Sequence, residues 1–150
     1  PPTISKTRKW IKKMINNSDD NVFFIIKVDG RKIGHIGLCD YDVNKKTISI
    51  MSVVKGESII FPRLMEIVSQ RMIGYSFDKL DINRIKIRVF SDNFKAINLY
   101  ERCGLLTVKS IPMKRFHNED GWIWKEVSSD QNDYAERYIN IMEIYKNLDQ

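Results

Sequence analysis

Two kinds of hydrophobic spacing alternate along this chain, and together they predict both strands and helices. In Arg84–Phe90 isoleucine and valine alternate with lysine and arginine, which is typical of a strand with one polar face. From Pro62 to about Lys79 the apolar residues instead return every three or four positions, which predicts a helix. Asp29-Gly30 follows a run of β-branched and aromatic residues, and this dipeptide favours a tight hairpin turn. The pattern therefore belongs to a protein of mixed structure.

The elements predicted along the chain have the order α-β-β-β-α-β-α-β-β-α. They are a helix that Thr3 or Ser5 caps and that runs to about Asn16, strands Val22–Val28, Lys32–Asp42 and Thr47–Val54, the helix Pro62–Lys79, strand Arg84–Phe90, a helix Asn93–Arg102 capped by Ser91 or Asp92, strands Leu105–Phe116 and Trp122–Val127, and a tail helix Tyr134–Leu148. Short connections make the first three strands an antiparallel meander. We predict a single α+β domain over residues 1–150, rather than a regular βα repeat or a helix bundle.

Composition excludes several other classes of protein. Of the 150 residues 43% are hydrophobic and 11% are aromatic, which is too much apolar material for a disordered chain. No apolar run reaches the length of a membrane helix. Two cysteines, Cys39 and Cys103, are too few for a disulfide scaffold or a metal cluster. We therefore expect a reduced, cytoplasmic protein without a metal.

The net charge of +6 is concentrated near the start of the chain. Five lysines and arginines lie in Lys6–Lys13, and such a run fits nucleic acid, a membrane surface or a phosphorylated small molecule. A solvated helix face is the simplest interpretation, because charge runs usually lie on the surface. Aromatic residues do not alternate with this run, and no nucleic-acid-binding motif is present. We expect no membrane partner, and the sequence does not support a nucleic-acid partner.

One segment resembles a known family. Residues 91–105, S-D-N-F-K-A-I-N-L-Y-E-R-C-G-L, resemble the N-x-x-A-I-x-L-Y-E-K-x-G-F signature of the GNAT acetyltransferase superfamily. The strand at 82–90, the I-G-H-I-G-L hairpin at 33–38 and the T-R-K-W-I helix at 7–11 are also similar to the family, so the resemblance covers about residues 4–127. It implies a mixed, mostly antiparallel sheet flanked by helices, to which the predicted tail helix is an addition.

The resemblance also implies a reaction and its residues. Members move an acetyl group from acetyl-CoA to an amine, so we expect an acetyl-CoA-dependent N-acetyltransferase that acts on a primary amine by direct attack. Tyr100 would protonate the departing sulfur. The expected coenzyme-binding residues are Met51, Ser52, Val53, Val54, Lys55, Arg63, Asn93 and Ala96. The basic residues that we expect to matter for the coenzyme are Lys55, Arg63 and Lys95.

The chain departs from the family where the coenzyme pyrophosphate normally binds. Members carry [QR]-x-x-G-x-[GA] there, whereas residues 54–65 read V-K-G-E-S-I-I-F-P-R-L-M and keep only Gly56. Three outcomes stay open: the amides around Phe61–Leu64 still serve, helped by Arg63 or Lys55; the coenzyme binds in a changed pose; or activity is lost. The chain also starts at the opening helix, so we expect an N-terminally truncated domain that lacks the family's first strand.

The acceptor and the general base stay open in the sequence. Irregular loops also occur in nucleotide-aminosugar N-acetyltransferases of the superfamily, which makes a nucleotide-linked aminosugar the first acceptor expectation and a ribosomal protein or other protein N-terminus the second. A non-catalytic GNAT-like binding domain is the competing hypothesis, and a homodimer is compatible with the tail helix. The base candidates are Asp40, Asp42 and Glu57, but an amine can also lose its proton to water. His35 is more typical of a structural strand residue than of a base.

Overall fold

The computed structural model describes residues 3–16, 20–56, 61–119, 121–128 and 135–147. It contains the helices α1 (Ile4–Asn16), α2 (Leu64–Lys79) and α3 (Phe94–Arg102), and the strands β1 (Val22–Val28), β2 (Arg31–Asp42), β3 (Thr47–Lys55), β4 (Arg84–Phe90), β5 (Leu106–Asn118), β6 (Gly121–Glu126) and β7 (Arg137–Tyr145). No helix in these ranges is long and apolar enough to cross a membrane.

The seven strands form one sheet in the order β1-β2-β3-β4-β7-β5-β6. The meander β1–β2–β3 is antiparallel, as predicted, and β3 pairs with β4 in parallel. The remaining pairs of strands are antiparallel. The predicted α+β fold with a mostly antiparallel sheet is thus confirmed.

The predicted tail helix is wrong. Residues Arg137–Tyr145 form β7, which pairs with β4 on one side and β5 on the other, while Tyr134 and Leu148 lie outside the described residues. A central strand is covered on both faces, so its apolar residues need not alternate. Met142 and Glu143 lie on opposite faces of β7 and are both buried, whereas Tyr138 and Tyr145, which a tail helix would place on its apolar side, are 38% and 56% exposed. Between two partners, the backbone hydrogen bonds of this segment are satisfied as a strand.

The helices α2 and α3 pack together against the sheet. Buried isoleucines of β3 and β4, among them Ile50 and Ile87, form one core with Met72 of α2 and Tyr100 of α3. The same core therefore fixes the sheet and both helices relative to each other. Tyr100, the proton donor expected from the sequence, belongs to this core and so fixes the orientation of α3.

The strands β3 and β4 separate beyond a short paired region. Their register runs only from Thr47 opposite Arg84 to Ile50 opposite Ile87, although β3 continues to Lys55. The far half of β3 pairs with β2 alone, and there the two backbones approach closely. A Cβ at Gly34 would lie 2.2 Å from the carbonyl oxygen of Val54, so this position requires glycine. The result is a V-shaped opening in the sheet.

Both helices that flank this opening begin later than predicted. Helix α2 starts at Leu64, with Pro62 and Arg63 in the turn before it. The N-cap of α3 is Asn93, not Ser91 or Asp92, because the Asn93 side chain accepts a hydrogen bond from the amide of Ala96. The carboxylate of Asp92 instead accepts hydrogen bonds at 2.7–3.0 Å from the guanidinium of Arg137 on β7.

Candidate active site

A cleft of about 420 Å³ lies where β3 leaves β4. Its walls come from the end of β3, the first turn of α2 and one side of α3. The lining residues are Val53, Lys55, Phe61, Arg63, Leu64, Met65, Glu66, Asn93, Lys95, Ala96, Leu99, Tyr100 and Arg102. The volume lies within the range of small-molecule sites, and the wall combines an apolar floor with a few polar groups.

The β3 wall contains a β-bulge. His35 pairs with Val54 and Gly37 pairs with Met51, so Ser52 and Val53 together oppose the single residue Ile36. Ser52 has a φ of 51°, a left-handed conformation that costs on the order of 1 kcal/mol for a residue with a Cβ. The bulge interrupts the regular pairing of β3 with β2 in the part of β3 that borders the cleft.

Tyr100 lies at the base of the cleft and is the most buried titratable group on α3. Its side chain belongs to the core, with the residue 7% exposed, so the ring cannot swing away. Burial, aided by the nearby Cys103 thiol, raises the pKa of Tyr100 above its ordinary value. The hydroxyl therefore stays protonated at neutral pH and can act as a proton donor.

Cys103 follows α3 and has no comparable role. It is buried, and its Sγ lies 3.8 Å from the carbonyl oxygen of Glu66, as a donor to it. Burial raises the pKa of Cys103, which keeps the thiol neutral and a poor nucleophile. The interpretation of Cys103 as a packing residue fits these contacts.

The start of α3 supplies two of the predicted binding residues. Asn93 and Ala96 both line the cleft, and the Oδ1 of Asn93 is 3.3 Å from the Ala96 amide that donates to it. The oxygen of this side chain accepts the capping bond, while its NH₂ group can donate to a ligand.

The α2 wall is built around a buried carboxylate. The side chain of Glu66 is 3% exposed, yet it accepts hydrogen bonds from two arginines. Arg63 donates from Nε at 3.2 Å and also from Nη2, and Arg102 of α3 donates from Nε at 2.9 Å. The hydrogen bonds from Arg63 and then those from Arg102 lower the pKa of Glu66 to about 2, so it is ionised at neutral pH.

Positive charge dominates the cleft. Lys55, Arg63, Lys95 and Arg102 line it, against Glu66 as the one acid among its described lining residues. A concave surface with this excess attracts a small anionic ligand. The same residues form no cluster for a metal: within the described ranges, no group of three or more histidine, cysteine or acidic side chains could hold an ion.

The predicted site residues divide into two groups. Val53, Lys55, Arg63, Asn93, Ala96 and Tyr100 line the cleft, whereas Met51, Ser52 and Val54 do not. The sequence interpretation missed Glu66 and Arg102. The spacing of Arg63 and Glu66 is a signal that could have indicated one ion pair on α2. Arg102 is 36 residues from Glu66 along the chain, and nothing in the sequence pairs them.

None of the described base candidates lines the cleft. Asp42 pairs with Lys45 at 2.8 Å, and Asp40 accepts a contact from the Cys39 thiol at 3.5 Å. His35 pairs with Val54 across the strands, and its Nε2 is buried without a hydrogen-bond partner. Glu57 lies outside the described residues. The three described side chains therefore do not share the cleft with Tyr100.

Comparison with solved structures shows the same fold. The spermidine N-acetyltransferase of Vibrio cholerae in complex with CoA and spermine has a TM-score of 0.69 and 17% identity, over 97% of this chain and 76% of that chain. A dodecameric structure of the Vibrio cholerae enzyme in an intermediate state gives 0.66 and 17%, over 95% of this chain and 74% of that one. At this identity the likeness shows the fold. No curated protein matches the chain by sequence.

A family model places the chain more definitely. The model described as the acetyltransferase (GNAT) domain matches residues 1–106, which include β3, α2, β4 and α3 up to the end of the cleft. The match thus covers all the elements that form the opening in the sheet. The chain belongs to the GNAT acetyltransferase domain family, and it is an N-acetyltransferase with acetyl-CoA as its cosubstrate.

Proposed function

We propose that this protein transfers the acetyl group of acetyl-CoA to a primary amine by direct attack, with Tyr100 as the general acid. The observation that carries the proposal is the buried, protonated Tyr100 at the base of a cationic cleft between diverging strands. The pantetheine arm would follow the β3 wall near Val53, and the phosphates would lie toward the basic residues of α2 and α3. Both the shape and the charge of the cleft fit an elongated thioester with anionic groups at one end.

The proposed step balances without a covalent enzyme intermediate. The amine nitrogen forms a bond to the thioester carbonyl carbon, and the carbon–sulfur bond breaks. The sulfur takes the Tyr100 proton and leaves as a thiol, while the proton that the amine loses passes through water and restores the tyrosine. A thiol has an ordinary pKa near 8.5, below that of tyrosine, so donation must accompany charge development on sulfur in the transition state.

The proposed acceptor is an amine of one of three classes. We keep a nucleotide-linked aminosugar as the first acceptor, which the irregular loop between β3 and α2 supports, and a protein N-terminus as the second. Spermidine and spermine enter as test compounds because of the similar Vibrio cholerae structure with CoA and spermine. These three classes differ in charge, so a panel of acceptors separates them directly.

A cytoplasmic location and an oligomer complete the proposal. Cys39 and Cys103 are free, which fits a reducing compartment. The similar dodecameric structure and the sequence expectation of a homodimer both make self-association worth measuring, and light scattering after size exclusion gives the mass.

Binding and turnover test the proposal in two steps. Acetyl-CoA at millimolar concentration should raise Tm by mass action if it binds the native state. Thiol release is then followed with an aminosugar nucleotide, an N-terminal peptide, spermidine, and buffer alone. We expect release that depends on one class of amine, together with a product heavier by one acetyl group. Absence of a Tm shift, or a shift without amine-dependent thiol release from any class, would refute acetyl transfer by this chain.

A further inference from the structure

We propose that Glu66 is a positioning residue that orients Arg63 and Arg102 as a two-guanidinium clamp for phosphate groups of the coenzyme. This inference rests on the proposed function and adds the groups that replace the missing glycine-rich loop. Neither the sequence motif nor the comparisons assign a role to Glu66 or Arg102.

The exposure of the three side chains is the first evidence. Glu66 is 3% exposed, whereas Arg63 and Arg102 are 72% and 55% exposed. An ion pair that served only packing would bury the guanidinium groups with the carboxylate. Here the anion is buried while both arginine side chains are exposed and line the cleft, which leaves them accessible to a ligand.

The arginine N–H groups that Glu66 does not occupy are the second line of evidence. A guanidinium has five N–H groups in a fixed plane. Glu66 occupies the Nε–H of Arg102, and the Nε–H and one Nη2–H of Arg63. Each arginine therefore keeps an Nη edge that Glu66 does not occupy. Such edges match the oxygens of a phosphate in a bidentate geometry, and two of them can bind adjacent phosphate groups.

The backbone at Arg63 is the third. This residue has a φ of 58° and a ψ of 15°, a left-handed conformation directly before α2. The Leu64 amide donates to the Phe61 carbonyl at 3.4 Å, so this amide is already engaged within the turn. The amides of Glu66 and Ile67 both donate to the Arg63 carbonyl at 3.0 Å, which fixes this turn at the helix start. The backbone of Arg63 therefore holds its side chain at the start of α2, beside Glu66.

The joint between α2 and α3 gives Glu66 a distinct task. It binds Arg63 from the turn before α2 and Arg102 from α3, so one carboxylate holds both guanidinium groups. Without the carboxylate, two like charges on long side chains would move apart and bind phosphate at a larger entropic cost. The pyrophosphate and the ribose phosphate of the coenzyme share the chemistry that this clamp recognises, and ligands that lack one or both distinguish them.

Titration calorimetry with three ligands tests the clamp. CoA, dephospho-CoA and pantetheine are bound to the full chain and to Arg63→Ala, Arg102→Ala and Arg102→Lys. Arg71→Ala is the matched control, because Arg71 is exposed on the same α2 and lies outside the cleft. We expect each alanine in the clamp to weaken CoA about tenfold or more, Arg102→Lys to weaken it less, and pantetheine to change less than twofold. Dephospho-CoA, which lacks the ribose phosphate, shows which phosphate is bound. If the alanine variants weaken dephospho-CoA as much as they weaken CoA, the clamp binds the pyrophosphate. If they do not weaken dephospho-CoA, the clamp binds the ribose phosphate.

The direction in which Glu66→Gln changes the affinity for CoA separates a positioning role from an effect of net charge. If only net charge mattered, removal of a negative charge from a cationic cleft would tighten CoA. A positioning role predicts the opposite, and we expect CoA to weaken at least threefold while pantetheine is unchanged. Glu101→Gln removes the same charge from an exposed position on α3 and should leave both ligands alone. Tm and far-UV circular dichroism at each variant verify the native fold, and the arginine variants retain the test if Glu66→Gln does not fold.

The outcomes separate this inference from the proposed function. The clamp is overturned if Arg63→Ala and Arg102→Ala bind CoA as tightly as the wild type does, or if Glu66→Gln binds CoA more tightly. Either result leaves the proposed acetyl transfer unaffected. Equal losses for CoA and pantetheine also overturn the clamp, because they indicate general damage to the cleft. A wild-type chain that binds neither ligand refutes the proposed function and the clamp together.

Discussion

The hydroxyl of Tyr100 is the single group on which the proposed chemistry depends. Tyr100→Phe removes one oxygen and keeps the ring, which is 7% exposed and packed in the core shared by α2, α3 and the sheet. The stability cost should therefore stay near 1 kcal/mol, the net worth of one hydroxyl interaction. A general acid contributes about 10²–10⁴ to the rate, or roughly 3–5 kcal/mol of barrier, so kcat should fall by that factor.

The assay follows thiol release at saturating amine, with acetyl-CoA varied. We expect kcat to fall and the KM for acetyl-CoA to change little, because the hydroxyl acts only as the carbon–sulfur bond breaks. An acetyl thioester of a more acidic thiol needs no proton on departure, so the deficit of the variant should shrink with it. The raised pKa of Tyr100 also predicts that the wild-type rate does not decline through tyrosine ionisation below about pH 10.

Tyr75→Phe is the control, since Tyr75 is 43% exposed on α2 and lies outside the cleft. It should leave kcat unchanged. A Tyr100→Phe variant with wild-type kcat, or with the same deficit for both thioesters, would remove Tyr100 from the role of general acid.

The remaining predictions concern stability and are measured by chemical or thermal unfolding. Gly34→Ala should destabilise the domain by about 1–3 kcal/mol, because the added Cβ would lie 2.2 Å from the Val54 carbonyl oxygen. A Cβ added at Gly74 in α2 would meet nothing within 4 Å, so the control Gly74→Ala should stabilise the domain by up to about 1 kcal/mol. Equal effects of the two substitutions would contradict the close approach of β2 and β3. Met142→Ala should cost about 2–5 kcal/mol, because the side chain is fully buried in β7, and a cost below 1 kcal/mol would argue against a central strand there. Glu66 has a pKa of about 2 in the folded chain against an ordinary 4.5, so its contribution to the free energy of unfolding is present above pH 4.5 and is lost as the pH falls toward 2. The difference in Tm between the wild type and Glu66→Gln should therefore narrow over that range. A difference that does not depend on pH would contradict an ionised Glu66.

Local sequence was enough for elements whose pattern reflects a single environment. Arg84–Phe90 is apolar on one face and basic on the other, and it forms β4 with the predicted bounds. Asp29-Gly30 sets the β1–β2 turn, where Asp29 and Gly30 both have positive φ as such a turn requires. In these places the residue types act on the backbone within a few positions, so the order of neighbours along the chain carries the information.

β7 shows where that information ends. Its residues could form an amphipathic helix, and only the gap between β4 and β5 makes a strand the better solution, since both of its edges are paired there and Met142 is buried. Propensity along the segment is outweighed by hydrogen bonds and burial that distant residues supply. The N-cap of α3 was decided in the same way, because Arg137 of β7 engages Asp92 and leaves Asn93 to cap the helix.

The residues of the cleft also divide into those that the sequence predicts and those that only tertiary packing brings together. The sequence by itself determined the family resemblance and the presence of Tyr100, Asn93 and Ala96 on one helix, since these follow from a contiguous motif. Only the tertiary structure decided that Glu66 joins Arg63 to Arg102 and that β3 leaves β4 after Ile50. The physical reason is distance along the chain: a motif fixes what one helix presents, but a buried charge finds its partners only where separate elements pack together.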